Sequence, residues 1–157
     1  MTGRVERRLQ ELGITLPGAP APVANYVPYV VHGDLVFVSG QITFVDGKVA
    51  HTGRVGGSLT IEQGQAAARV CALNVLAQLH AACSGDLDRV VRCLRVGGFV
   101  NSAPDFTQQP QVINGASDLF VEVLGDIGRH ARFAVGAGNL PADSAVEVEA
   151  IFAIRSA

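Results

Sequence analysis

The sequence predicts an α+β fold in which two helices cover one face of a sheet. Three observations carry this. Several short runs alternate apolar and polar residues, as strands do. Two longer segments repeat their apolar residues at helical spacing. The segments follow the order β-β-(β)-α-β-α-β-β, with no internal repeat.

Taken in order, Val5, Leu9 and Leu12 lie at helical spacing, and Gly13 can stop that helix. Pro17 to Pro22 read as an extended Pro/Ala/Gly linker. Residues 26–31 and 35–39 read as two strands of a hairpin joined at His32-Gly33-Asp34. Asp46-Gly47 marks a turn before a short strand near Val49, and Gly53, Gly56 and Gly57 mark a loop. Thr60-Ile61-Glu62-Gln63 is a capping box, in which each end can satisfy an amide of the other. The helix it opens runs through Ala66, Val70, Leu73, Ala77 and Leu79 to Ser84-Gly85, and its many alanines predict close packing on a sheet. Val90 to Phe99 read as a strand with a bulge or bend at Gly97-Gly98. Pro104 and Pro110 bracket a loop, and a second helix spans about Val112 to Leu124 before Gly125.

Composition narrows the class. The 157 residues suit one domain. Charged residues make up 17% and hydrophobic residues 48%, so a chain this small has apolar surface to cover and is expected to form an oligomer. The net charge of −2 gives no basic footprint for nucleic acid. Cys71, Cys83 and Cys93 include no Cys-x-x-Cys pair, which fits buried thiols in a reducing compartment. Met1 to Gln10 are too polar for a signal peptide, and no apolar run is long enough to span a membrane. A cytoplasmic protein is expected. His32, His51, His80 and His130 have no metal-ligand spacing and Gly136-Ala137-Gly138 lacks the spacing of a dinucleotide loop, and no cofactor is expected.

The chemistry concentrates near the C-terminus. His130-Ala131-Arg132-Phe133-Ala134-Val135-Gly136 and Val146-Glu147-Val148-Glu149-Ala150-Ile151 both alternate, with Leu140-Pro141 in the turn between them. Alternation puts Arg132 with His130 and Ala134 on one side, and Phe133 with Val135 on the other. It likewise puts Glu147 with Glu149. By residue type alone these charges form either a ligand site, a hydrated sheet face, or an ion pair of Arg132 with one of the glutamates.

The same strings resemble the C-terminal signature of the Rid family, the reactive intermediate deaminases, also called YjgF-like or endoribonuclease L-PSP-like proteins. Asn25-Tyr26-Val27-Pro28-Tyr29 with Leu35 to Ile42, and Phe106 with Val112 to Phe120, match further blocks in the right order. The match runs from about residue 25 to 155. It divides the chain into an N-terminal helix and Pro-rich linker, 1–24, and a Rid-like domain, 25–157, as in the longer branch of the family.

The resemblance implies a chorismate-mutase-like fold with a mixed sheet. It also implies a homotrimer whose sheets form a central barrel, with ligand clefts between subunits. It implies that Arg132 grips the carboxylate of a 2-imino acid and that Glu147, rather than Glu149, positions water. Tyr26 would reach the cleft from a neighbouring subunit. Ser39, Gly40 and Asn114 match further cleft positions, although Asn114 equally suits a helix cap. Ala134 stands where short members often have Cys, which excludes a nucleophilic thiol there. Phe133 replaces a small residue. The implied activity is hydrolysis of reactive 2-imino acids to 2-oxo acids and ammonia. A non-catalytic trimer that binds 2-oxo acids is the alternative, and a ribonuclease the third reading, disfavoured by the charge. A beside-arginine carboxylate is expected to stay ionised.

Overall fold

The computed structural model describes residues 2–19, 21 and 24–156. Its elements are α1 (Arg4–Glu11), β1 (Tyr29–His32), β2 (Leu35–Gln41), β3 (Phe44–Val45), β4 (Lys48–Val49), α2 (Ile61–Ala82), β5 (Val90–Asn101), α3 (Gln109–Leu124), β6 (Ala131–Ala137) and β7 (Val146–Ile154). The main sheet has the order β1-β2-β7-β5-β6, and β3 and β4 pair separately. The β5–β6 pairing is parallel. The other pairings in that sheet are antiparallel. The fold is therefore α+β with a mixed sheet, and α2 and α3 lie together on one face.

Alternation builds the core. Along β7, Val146, Val148, Ala150, Phe152 and Ile154 are buried while the residues between them are half-buried. Val36, Val38, Val96 and Val100 bring the same face of β2 and β5 against the helices. From α2 come Ala67, Ala68, Cys71, Ala72, Val75, Leu76 and Leu79, all fully buried. Small residues let α3 cross α2 closely: a side chain at Gly115 would strike the Gln65 carbonyl. Among the described residues, the opposite face of the sheet carries no helix. It exposes Phe37 and Val135 and half-exposes Phe133 and Ile151.

Local signals explain the boundaries. In the capping box, Thr60 Oγ1 accepts from the Gln63 amide at 3.1 Å and Gln63 Oε1 accepts from the Thr60 amide at 2.9 Å. Asp46 and Gly47 both have positive φ, 50° and 78°, the geometry a two-residue hairpin turn requires. The β1–β2 hairpin closes where expected, with His32 paired to Leu35.

Three expectations shift. Residues 26–28 precede β1 in bends rather than extending it, so Tyr26 is not a strand residue. The bulges of β5 fall at Val91 and Leu94, where the register to β7 slips. Gly97 and Gly98 pair regularly instead. Their missing side chains make room for Phe133 on one face and Ile113 on the other. Helix α3 starts at Gln109, so Pro110 sits in its first turn, where no amide is needed and its φ is already helical. The proposed linker falls partly on residues 20 and 22, which lie outside the described residues. Between β6 and β7 the chain reverses direction, but the two strands do not pair, because β5 lies between them in the sheet.

Helix α1 lacks a side-chain cap of its own, since Gly3 is its N-cap. Asp88 supplies one from a distant segment, accepting the amides of Arg4 at 2.6 Å and Val5 at 2.9 Å. Desolvation of the Asp88 carboxyl works to raise its pKa. The two amides and the charges of Arg4 and Arg7 outweigh this and hold it below the usual value. A depressed carboxylate stabilises the fold above its unfolded pKa, and that contribution is lost as the pH falls through the lowered value. Asp88→Ala should therefore loosen α1 at neutral pH by about 1 kcal/mol, roughly fivefold faster amide exchange in α1. Exchange in the sheet should not change, and the difference from the parent should vanish in strong acid. Equal exchange at neutral pH would show that Asp88 does not anchor the helix.

All three cysteines are buried and free. Burial pushes the Cys93 thiol up to about 12 and raises Cys71 as well, so both remain protonated and unreactive.

Candidate functional site

Two clusters emerge, on opposite faces of the sheet. The first joins the edge strand β6 to the first half of α3. Alternation turns Arg132 toward the helix, where its Nη1 donates to Asn114 Oδ1 at 2.8 Å and to Ser117 Oγ at 3.1 Å. Its Nη2 donates to the Pro110 carbonyl at 3.2 Å. Three bonds thus fix the guanidinium plane. The Nε–H has no acceptor among the described residues. With the second Nη2–H it forms the side-on edge that takes a carboxylate through two parallel bonds. No carboxylate of the described chain pairs with Arg132.

His130 stands behind this arrangement. Its Nδ1 lies 2.6 Å from the Gly128 carbonyl, which can only accept, so Nδ1 carries the proton. Its Nε2 is then the acceptor and takes the Ser117 hydroxyl hydrogen at 2.8 Å. Burial lowers the pKa of His130, and the charge of Arg132 lowers it further, against the opposing bond to Gly128. The ring is neutral at neutral pH.

The second cluster lies on the open face, around Glu147 of β7 and the β2 segment Ser39-Gly40. A side chain at Gly40 would collide with Glu147 Oε1, so glycine is what lets the carboxylate lie against β2. The β2–β7 register is irregular between Val38 and Gln41, which is where Gly40 sits. Ser39 Oγ donates to the Val27 carbonyl at 2.8 Å and its amide to the Pro28 carbonyl at 2.9 Å. Those bonds hold the segment that carries the exposed Tyr26 beside this cluster.

Burial raises the Glu147 pKa. The expected neighbouring arginine is missing within the chain. Arg132 pairs with Val96, which faces Ala150, whereas Glu147 faces Phe99, three rungs away. That is about 10 Å along the strands and about 10 Å across them, on opposite faces. One chain cannot place Arg132 and Glu147 on the same small molecule.

Glu149 is engaged elsewhere. Arg95 Nη2 donates to its Oε1 at 2.6 Å, and the Arg95 guanidinium lies 5.9 Å from the centre of the Phe133 ring. Phe133 also meets Phe99 edge-on at 5.4 Å and sits over Gly97. It therefore packs on the open face and leaves the Arg132 side untouched. An ion pair between Arg132 and one of these glutamates is one of the alternatives the sequence leaves open, and Glu149 does form an ion pair. Its arginine is Arg95, not Arg132.

Asn114 is not a helix cap: it lies inside α3 and its side chain serves Arg132. Ala134, two residues beyond Arg132, lies on the same side as the guanidinium and packs against the core. Ser117 and the Pro110 carbonyl were missed by sequence reasoning. The spacing of Ser117, three residues after Asn114, puts both on one helical face and was the available signal. A cavity of about 440 Å³ lies elsewhere, between α1, Ile14 to Gly18 and Gly85 to Asp88, and shares no residue with either cluster. Among the described residues, no three His, Cys, Asp or Glu gather as a metal site. No helix among them is long and apolar enough to cross a membrane.

A mixed sheet with two helices on one face matches a known class of fold. Residues 6–154 match the family model described as "YjgF/chorismate_mutase-like, putative endoribonuclease". The chain belongs to this family. It is 53% identical over 156 residues to Protein TCP17 of Trypanosoma cruzi, covering 99% of this chain and 97% of that one. It is 50% identical to Atu1372 of Agrobacterium tumefaciens, a solved structure described as of unknown function, with TM-score 0.90 over 96% of this chain and 92% of that chain. E. coli TdcF, solved with bound serine, is 26% identical with TM-score 0.62 over 88% of this chain and 94% of that chain.

Proposed function

We propose that the protein is a cytoplasmic homotrimeric deaminase that hydrolyses reactive 2-imino acids. The observation that carries the reading is the Arg132 guanidinium, fixed by Asn114, Ser117 and the Pro110 carbonyl with its side-on edge turned free. That edge suits a carboxylate. TdcF, a family member, has bound serine, a small carboxylate-bearing molecule.

Because Arg132 and Glu147 face opposite sides of the sheet, the complete site takes Arg132 of one copy and Glu147 of the next. The exposed apolar open face, with Phe37 and Val135, gives the copies a reason to associate. Tyr26 and Ser39-Gly40 would enter the cleft with Glu147. Arg132 holds the substrate carboxylate, and Asn114 keeps the guanidinium in plane. Ionised Glu147 takes a proton from water as its oxygen attacks the imine carbon. The C=N π pair moves to nitrogen, which takes that proton back from Glu147 to give a carbinolamine. The remaining hydroxyl proton then passes to nitrogen as the C–N bond breaks, ammonia leaves, and the carbon becomes the carbonyl of a 2-oxo acid. In solution the trimer should give a scattering mass of three times 16.4 kDa. A stable monomer would separate the two half-sites and end the proposal. The test of activity is an imine-hydrolysis assay coupled to amino acid oxidation across a panel of amino acids.

The serine-bound TdcF structure also favours a second reading, a trimer that binds such carboxylates without turning them over. The two separate at Glu147, which only hydrolysis requires. The ribonuclease reading finds no support in the charge of −2, which provides no path for phosphates.

A further inference from the structure

We infer that Ser117 and His130 are positioning residues that hold Arg132 in its carboxylate-binding orientation, so that ligand affinity depends on the neutral state of His130. The inference rests on the carboxylate clamp proposed above and extends it to two residues that touch no substrate. The geometry is a directional chain. The Gly128 carbonyl accepts from His130 Nδ1, His130 Nε2 accepts from the Ser117 hydroxyl, and Ser117 Oγ accepts from Arg132 Nη1. Each link fixes the direction of the next, because a hydroxyl has one hydrogen to give. With that hydrogen committed to His130, the Ser117 lone pairs point to Arg132.

Protonation of His130 leaves the bond to Gly128 in place and reverses the link to Ser117. Nε2 becomes a donor, the Ser117 hydrogen must turn elsewhere, and a second positive charge appears beside the guanidinium. The groups facing His130 are Ser117 and Phe120 of α3, the Gly128 carbonyl and Arg132. Arg132 is the charged one, and it opposes protonation. The lowered pKa agrees with this surrounding, and it keeps the clamp intact at neutral pH.

Calorimetry with pyruvate tests the inference, since pyruvate remains ionised throughout the range used. The Glu147→Gln background removes the other carboxylate that titrates in the cleft. Ser117→Ala should weaken binding about tenfold, the effect of losing one charge-assisted bond. Ser117→Thr, which restores the hydroxyl, should recover it. Affinity should hold at neutral pH and fall only as the pH drops below about 6.5, the ordinary imidazole value, where His130 protonates, and His130→Gln, whose amide oxygen accepts but does not titrate, should bind with flat pH dependence. Arg132→Ala runs alongside. If it binds pyruvate as the parent does, the clamp itself is wrong. If it loses binding while Ser117→Ala does not, the clamp stands and the positioning role falls.

A ligand-free measurement closes the test. The NMR titration of His130 should move to higher pKa in Ser117→Ala, which removes the donor to Nε2, and in Arg132→Ala, which removes the opposing charge. An unmoved titration in both would overturn the chain whatever the ligand. A merely structural Ser117 would lower thermal stability without changing the pH dependence of binding.

Discussion

Arg132→Ala should weaken binding of pyruvate or 2-oxobutyrate more than a hundredfold, a loss of about 3 kcal/mol. The size follows from what the side chain does. Its guanidinium is permanently charged and held in plane by three bonds. A carboxylate meeting its free edge needs little further ordering of the arginine. Lysine in its place keeps the charge but offers no planar fork, and loses the bonds to Asn114, Ser117 and Pro110. Arg132→Lys should therefore fall between, about tenfold weaker. Alanine will also lower thermal stability, because Asn114 Oδ1 and the Pro110 carbonyl lose their partner. It will not strand a carboxylate, since neither Glu147 nor Glu149 pairs with Arg132 in the chain. Calorimetry well below the melting temperature separates the two effects. If Arg132→Ala binds 2-oxo acids as tightly as the parent, the clamp is wrong, and both the deaminase and the carboxylate-binding reading lose their anchor.

The class of fold was legible because its signals are local. The capping box at Thr60 and Gln63, the Asp46-Gly47 turn and the alternation of β7 each act within a few residues. What escaped depends on residues far apart in the chain. Gly97 and Gly98 look like a bulge in sequence, but Phe133 and Ile113 occupy the space they leave, and the register slips at Val91 and Leu94 instead. Asp88 caps a helix more than eighty residues away. The candidate site shows the same division. Alternation along β6 correctly separated Arg132 from Phe133. It could not say which face of β7 would share a side with Arg132, because that is set by β5 lying between them. Proximity in sequence therefore left Arg132 as the candidate partner if a glutamate were paired, while the sheet pairs Glu149 with Arg95.

Glu147→Gln should lower imine hydrolysis by about 10²–10⁴, the usual contribution of a general base, and leave pyruvate affinity within about twofold. The substitution keeps the shape that fits against Gly40 and removes the charge that would take a proton from water. Stability should move the other way. Burial raises the Glu147 pKa above its ordinary 4.5, so ionisation is disfavoured in the folded chain. The folded state then binds more protons than the unfolded one between those two values. The penalty is complete above the folded pKa and is relieved as the pH falls toward 4.5. At neutral pH, Glu147→Gln should thus melt no lower than the parent, and higher if the carboxylate remains away from a cation. Glu149→Gln gives the contrast. Its carboxylate is bound to the half-exposed Arg95 beside Phe133, so its loss should cost at most about 1 kcal/mol of stability and change turnover little. A Glu147→Gln protein that binds pyruvate and still hydrolyses imines at the parental rate would pass the role to Glu149 or to no side chain. A parent protein that binds pyruvate and hydrolyses none of the panel would leave a trimer that holds carboxylates without transforming them.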